Sequence, residues 1–176
     1  MPPTVVTEDI AQAQRAVEGF GPSVIKPLFT SKARGMILVE PGPHLLDELE
    51  SYKSGNKFFY IQQRMELPGY DLGVVFLGGE YLTTYARVGK EGAWNTTTHS
   101  GGKYRCHKPS EEVMDIATRA QAPFGLDFTC VDVAETPQGP IVFEVSAFGG
   151  FRGLLEGCGI DAAKLYVDYA VKELAQ

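Results

Sequence analysis

Residues 128–146, FTCVDVAETPQGPIVFEVS, decide how the rest of the chain reads. Two apolar runs, 128–134 and 141–145, flank a polar Pro-Gln-Gly-Pro stretch, the pattern of a β-hairpin. Each run carries one carboxylate, Asp132 in the first and Glu144 in the second. The two lie equally far from Gln138, so a simple hairpin register sets them opposite each other on one face. Like charges so placed repel, and something must compensate. A divalent cation is one answer, because magnesium takes one or two carboxylates and completes its shell with phosphate oxygens. Solvent around one acid, or an arginine beside it, is the other.

Outward from the hairpin, strands and helices are interspersed without strict alternation, which reads as α+β rather than a doubly wound sheet. Upstream, residues 58–64, 72–77 and 80–88 read as strands, the last two joined by Gly78-Gly79 as a tight turn. Residues 23–27 and 36–40 are shorter strands. Helices are expected over 7–19, with Thr7 as cap and Ile10, Ala13 and Val17 on one face, and after Pro43, where Leu45, Leu46 and Leu49 fall. Ser110 caps another helix, with Glu111 and Glu112 in its first turn, and Gly125 closes it. A final helix starts near Asp161. Residues 89–108 and the glycine-rich stretch after Glu144 read as loops.

Composition narrows the function. The chain has 176 residues, 44% of them hydrophobic, enough for one core-bearing domain but not for two full ones. Twenty-two acidic residues against sixteen basic give a net charge of −6, which disfavours nucleic acid as a partner. No apolar run is long enough for a membrane span, and MPPTVVTED lacks a signal-peptide core. A cytoplasmic setting follows. Cys106, Cys130 and Cys158 are odd in number and far apart in sequence, which suits a reducing compartment.

Four further features carry candidate chemistry. Lys26 lies inside Val24-Ile25-Lys26-Pro27, where a buried ammonium needs a counter-anion or must lose its proton. Downstream, Ser31, Lys32, Arg34 and Gly35 put hydroxyl, cationic and flexible groups on one turn; this suits a phosphate chain, and equally describes a basic surface turn. Residues 96–102, TTTHSGG, are dense in small donors, but His99, Cys106 and His107 match no common zinc spacing. Arg152, in AFGGFRG after Glu144, either faces a substrate anion or belongs to a plain turn before the last helix.

In this order, the features resemble the ATP-grasp superfamily, and within it the RimK-like ligases that join an amino acid such as glutamate to a carboxylate. TVVTED resembles the family's opening segment, VIKP its phosphate-lysine strand and TSKARG its phosphate loop. FYIQQRMELPGYDLGVVFLGG resembles the adenine-side strand, hinge and following strand. THSGG, GLDFTCVDV and FEVSAFGGFRGL stand where the family has a histidine-glycine motif and two metal-carboxylate strands. The resemblance implies an ATP-grasp fold over 1–176, with subdomains of about 1–65 and 66–176 gripping a nucleotide cleft between antiparallel sheets. It implies ATP and magnesium as cofactors. Lys26, with Ser31, Lys32 and Arg34, would meet the phosphates; Gln62, Gln63, Arg64 and Met65 would line the adenine edge. Asp132, Glu144 and Ser146 would hold the metal, and Arg87 and Arg152 would serve catalysis.

The implied reaction is a carboxylate–amine ligation through an acylphosphate, on small-molecule or peptide acids and amines; the alternative is a non-catalytic subunit for assembly or regulation. Family members carry a preceding α/β domain, so a homo-oligomer or a partner subunit supplying that wall is expected. The chain departs from the family pattern at several places. Ser146 replaces a metal-binding asparagine, Gly73 an arginine, Asn95 an arginine and Thr97 an asparagine. Thr30 and Ala33 stand for loop glycines, and Gly149 for a proline.

Overall fold

Alternating apolar strands and two amphipathic helices build the first of two units in the computed structural model, which describes residues 1–30, 33–90 and 102–175. Unit 1 runs Met1–Met65 and unit 2 runs Glu66–Gln176.

Unit 1 is an antiparallel sheet of β1 (Thr4–Thr7), β2 (Ser23–Lys26), β3 (Ile37–Val39) and β4 (Phe59–Gln63), in the order β1-β4-β2-β3. Helices α1 (Ile10–Phe20) and α2 (Leu45–Gly55) pack on it. Their buried faces, Ala13 and Val17 from α1 and Leu45, Leu49 and Tyr52 from α2, close over Ile25, Phe59 and Ile61. Each fully buried Phe or Ile there contributes about 1.5–3 kcal/mol.

Helix α1 starts later than the sequence suggests. Thr7 is taken up by β1 opposite Phe59, and Asp9 becomes the cap, accepting from the Gln12 N–H at 2.7 Å. Gly19 stays helical, and Gly21, at φ 76°, ends the helix.

Unit 2 is a five-stranded antiparallel sheet of β5 (Tyr70–Leu77), β6 (Glu80–Val88), β7 (Lys103–Cys106), β8 (Phe128–Thr136) and β9 (Gly139–Ser146). The strand order is β7-β6-β5-β8-β9. Helix α3 (Glu111–Gln121), capped by Ser110 as expected, covers one face through Val113 and Ala117 against Leu72, Val74, Phe76, Val131 and Val133. On the other face, α4 (Arg152–Cys158) and α5 (Ala162–Leu174) cover Val75, Tyr85, Phe128 and Cys130.

β7 and α4 fall where the sequence reads as loop. β7 is a short edge strand held by β6, and α4 has two glycines in seven residues. Long-range packing makes both. Leu154 is fully buried, and Gly153 and Gly157 let α4 lie directly on Tyr85 and on the β7 backbone.

At one end of that second face the polar residues gather. Along β5, β6 and β8 the inward positions change from apolar to charged: Val75 gives way to Gly73 and Asp71, Tyr85 to Arg87, and Cys130 to Asp132.

Candidate functional site

The β8–β9 hairpin turns at Pro137-Gln138, with Thr136 opposite Gly139. An unbroken register from that turn would set Asp132 opposite Phe143 and send Glu144 to the other face. Between Asp132 and Val133 the register shifts by one: Val133 faces Val142, while Asp132 faces Glu144. Phe143 is therefore the extra residue of a β-bulge. The two carboxylates share a face because of the bulge, since the turn is centred half a residue before Gln138. Glu144 is exposed and accepts from the Ser146 hydroxyl at 3.2 Å.

Arg87 stands at the centre of this face. It sits directly across from Asp71 in the β5–β6 register. Its Nε donates to Asp71 Oδ2 at 2.9 Å, its Nη2 reaches the same oxygen, and Nη2 also pairs with Asp132 Oδ2 at 2.9 Å. Of the two ways to compensate the acid pair, the arginine beside Asp132 is therefore present in this structure. Asp71 itself is buried, and its Oδ1 has no hydrogen-bond partner among the described residues. Below Asp132, the Cys130 thiol donates to Oδ1 at 3.6 Å, and the Tyr85 hydroxyl lies 3.5 Å from Cys130 Sγ.

Burial sets the electrostatics. It pushes the Asp132 carboxyl above its usual range; Arg87 pulls it back, while Asp71 and Glu144 add to the rise. Burial alone would lower the Arg87 guanidinium, but Asp132 and then Asp71 outweigh it and hold the group well above its ordinary value. Burial, with Asp132 close by, keeps Cys130 a neutral thiol. Three acids against one guanidinium leave this face net negative, which favours a cation.

In unit 1, Lys26 Nζ donates to Gln62 Oε1. The Gln62 side chain is buried, and its Nε2 donates to Thr4 Oγ1 at 3.0 Å and to the Tyr60 hydroxyl at 3.3 Å. The amide is thus clamped at its nitrogen and presents its oxygen to the lysine. Its side chain is thereby held toward Lys26. Gln63 Nε2 donates to the Phe20 carbonyl at 3.0 Å, and the Arg64 N–H to the Pro22 carbonyl at 2.8 Å, so both are tied into unit 1. The Arg64 side chain is exposed and Met65 is half-buried at the end of the unit.

Arg152 is exposed at the start of α4 and pairs with Glu156, one turn on, at 2.7 Å. Arg34 is exposed, its carbonyl accepting from Thr30 Oγ1 at 2.9 Å. Ser31, Lys32, Asn95, Thr97, His99 and residues 96–101 of the TTTHSGG stretch lie outside the described residues. Cys106 and His107 form no metal cluster with other described residues, and the His107 ring packs on Tyr70 at 5.6 Å.

Several departures from the family pattern have local causes. A Cβ on Gly73 would lie 2.5 Å from the Tyr85 ring, and one on Gly153 would lie 2.7 Å from it. Tyr85 fills a slot between two glycines, and no side chain fits at position 73 beside it. Gly149 donates its N–H to the Phe128 carbonyl at 3.3 Å, a bond proline lacks. Ala33 takes a left-handed backbone at φ 56°, where glycine is at ease and alanine is strained by about 1–2 kcal/mol.

Residues 1–170 match the RimK-like ATP-grasp domain, nearly the whole chain. The chain belongs to the RimK-like ATP-grasp family. Among its relatives is a probable alpha-L-glutamate ligase of Maridesulfovibrio salexigens, 29% identical over 170 residues, which cover 96% of this chain and 55% of that protein. Another is the tetrahydromethanopterin:alpha-L-glutamate ligase of Methanosarcina acetivorans, 28% identical over 198 residues, 96% of this chain and 61% of that protein. The chain thus spans little more than half the length of these curated relatives. Its fold is that of the ATP-grasp ligase PsnB, solved with a phosphomimetic variant of its minimal precursor, Mg and ADP. The TM-score is 0.72 at 21% identity, over 99% of this chain and 54% of that one.

The ATP-grasp setting implies magnesium, and the donor set fits it. Among the described residues no three His, Cys, Asp or Glu side chains converge into a closed metal cage. Two facing carboxylates and the Ser146 hydroxyl make a partial oxygen shell, the kind magnesium occupies when phosphate oxygens supply the rest. The residue that sequence reasoning missed is Asp71. Its signal is present in the sequence: a carboxylate at an inward position of YDLGVVFL, two residues before Gly73, asks for the same explanation as Asp132.

Proposed function

We propose that this chain is the nucleotide-binding part of an ATP-dependent carboxylate–amine ligase. The observation that carries the reading is the bulged β8–β9 hairpin, which sets Asp132 opposite Glu144 on a net-negative face beside Arg87. Asp132 and Glu144, with Ser146, would hold magnesium; when bound, magnesium neutralises phosphate charge as the γ-phosphoryl group transfers. Lys26, oriented by Gln62, would meet phosphate oxygens, with Ser31, Lys32 and Arg34 as further phosphate contacts. Arg87, held in place by Asp71, would present its guanidinium to the transferring group. The substrate acid would attack the γ-phosphate to give an acylphosphate and ADP, and the amine would then displace phosphate. Arg152 would orient the substrate anion once freed from Glu156.

The acid and amine belong to the small-molecule or peptide classes on which the named relatives act. Because those relatives are much longer, substrate recognition is proposed to draw on a further domain or a second subunit. The setting proposed is the cytoplasm, where ATP is available.

A second reading has its own support. Tyr85 occupies the slot beside Gly73, where the family pattern has an arginine, and Arg152 is engaged with Glu156. Both favour a non-catalytic ATP-grasp subunit with an assembly or regulatory role. ADP release separates the two. Mixing the protein with ATP, magnesium and a panel of amino acids and acidic peptides should give ADP and inorganic phosphate in equal amounts, only when acid and amine are both present. Nucleotide binding with no ADP across the panel, in the presence of full-length partner proteins, selects the subunit reading.

A further inference from the structure

Two of the three cysteines, 52 positions apart in the chain, meet in unit 2. Cys106 ends β7, on the same face of the strand as Tyr104, the face covered by α4. Cys158 is the last residue of α4. The Cys158 thiol donates to the Thr84 carbonyl oxygen at 3.5 Å, and the Cys106 thiol approaches that same oxygen at 3.9 Å. Both thiols therefore converge on one carbonyl oxygen.

The backbones are close at the same level. A Cβ on Gly157 would lie 3.2 Å from the Arg105 nitrogen and from Tyr104 Cβ, so the end of α4 rests directly on β7. Directly after Cys158, Gly159 at φ 68° closes the helix with its N–H on the Leu155 carbonyl at 3.0 Å. A disulfide needs two backbones in such near contact, held without strain. Cys106 is exposed, whereas Cys158 is half-buried, with its thiol pushed up to about 11 by burial and then by Cys106. Cys130 is buried under Tyr85 and is out of reach of solutes.

We propose that Cys106 and Cys158 form a reversible dithiol–disulfide site that takes a small-molecule disulfide, such as oxidised glutathione, as its oxidant. The exposed Cys106, as thiolate, attacks one sulfur of the small disulfide. That S–S bond breaks, one small thiolate leaves with the electron pair, and a mixed disulfide remains on Cys106. Cys158 gives up its proton and attacks the Cys106 sulfur, expelling the second small thiolate. Two protein thiols are oxidised to one disulfide, one small disulfide is reduced to two thiols, and the two protein protons end on the departing thiolates. The bond ties α4 to β7, and so links the segment following Glu144 and Ser146 to the strand edge of the sheet.

The test needs no knowledge of the substrates. The reduced protein is equilibrated with buffers of oxidised and reduced glutathione, quenched by alkylation, and read by intact mass and peptide mapping. The expected product is a protein two hydrogens lighter, with peptides containing Cys106 and Cys158 joined and Cys130 alkylated only after unfolding. It should unfold at higher temperature than the reduced form, and dithiothreitol should reverse both changes. Cys158→Ser should stop the reaction at a glutathione adduct on Cys106, and Cys106→Ser should prevent it. A persistent adduct on wild-type Cys106, a bridge involving Cys130, or no oxidation at any ratio overturns the proposal.

Discussion

Asp132 holds its charge where the fold disfavours it. Burial raises its carboxyl above the unfolded range, so folding takes up the protonated form more readily. The stability from Asp132 is then fully present below the ordinary carboxylate pKa of about 4 and is lost as pH rises through the folded value. Above that value the ionised residue is a standing cost to the ligand-free protein. Arg87 reduces the cost but also has Asp71, so removing the Asp132 charge leaves the guanidinium paired. Asp132→Asn should therefore leave the ligand-free protein as stable as wild type at pH 7.5, or more stable by about 1 kcal/mol, the scale on which a tenfold change in proton affinity acts. The advantage should disappear at acid pH, where both side chains are neutral. Urea titrations of both proteins from pH 3.5 to 7.5 give the comparison. A variant less stable than wild type at neutral pH would make Asp132 a structural ion-pair partner instead.

At the scale of elements, the β8–β9 hairpin shows what local sequence can and cannot say. The strands and their turn are legible because apolar runs with a Pro-Gln-Gly-Pro break have few other solutions; the facing pair Asp132–Glu144, expected from a turn centred on Gln138, comes instead from the bulge. The bulge at Phe143 is not, because nothing local marks which residue is extra; it is fixed by how β9 meets β8. Likewise, α3 is written in Ser110 and the acids after it, whereas β1, β7 and α4 exist only through partners far along the chain. Thr7 looks like a cap until Phe59 pairs with it. Lys26 and Asp132 announce themselves as charges among apolar neighbours, and Asp71, equally inward, was hidden by its half-polar surroundings. The Gln62 side chain is held by Thr4, Tyr60 and Lys26, an arrangement that nothing local in the sequence marks.

The bulge also makes a prediction. Deleting Phe143 restores an unbroken register in which Val133 still faces Val142 and Asp132 still faces Glu144. The hairpin retains most of its ladder, so the variant should fold with a loss of about 1–3 kcal/mol, the range of a local packing defect. Its magnesium-dependent thermal stabilisation by ATP should be retained, because the acid pair still shares a face. Loss of that stabilisation in a folded variant would show that a facing acid pair is not enough and that the bulge itself shapes the site.

Over the whole molecule, charge argues that metal and nucleotide bind as a pair. The chain carries −6, and Asp71, Asp132 and Glu144 outnumber Arg87 on the candidate face. A triphosphate approaching that face alone meets three carboxylates and one guanidinium already engaged by two of them. Repulsion between phosphate oxygens and facing carboxylates is lifted only when a divalent cation lies between them. ATP with magnesium at a hundredfold over its dissociation constant should then stabilise the protein by about 2.7 kcal/mol, which for a chain of this size is roughly 5–10 °C in melting temperature. ATP with excess chelator should give less than a third of that shift, and magnesium alone a small one, because two carboxylates and a hydroxyl fill only part of its shell. Raising monovalent salt should weaken the ATP–magnesium shift far less than the chelator does, since short contacts inside the site are poorly screened. Equal stabilisation by ATP with and without the chelator would mean that the acid pair faces something other than a metal–phosphate complex, and that Arg87 remains its permanent partner.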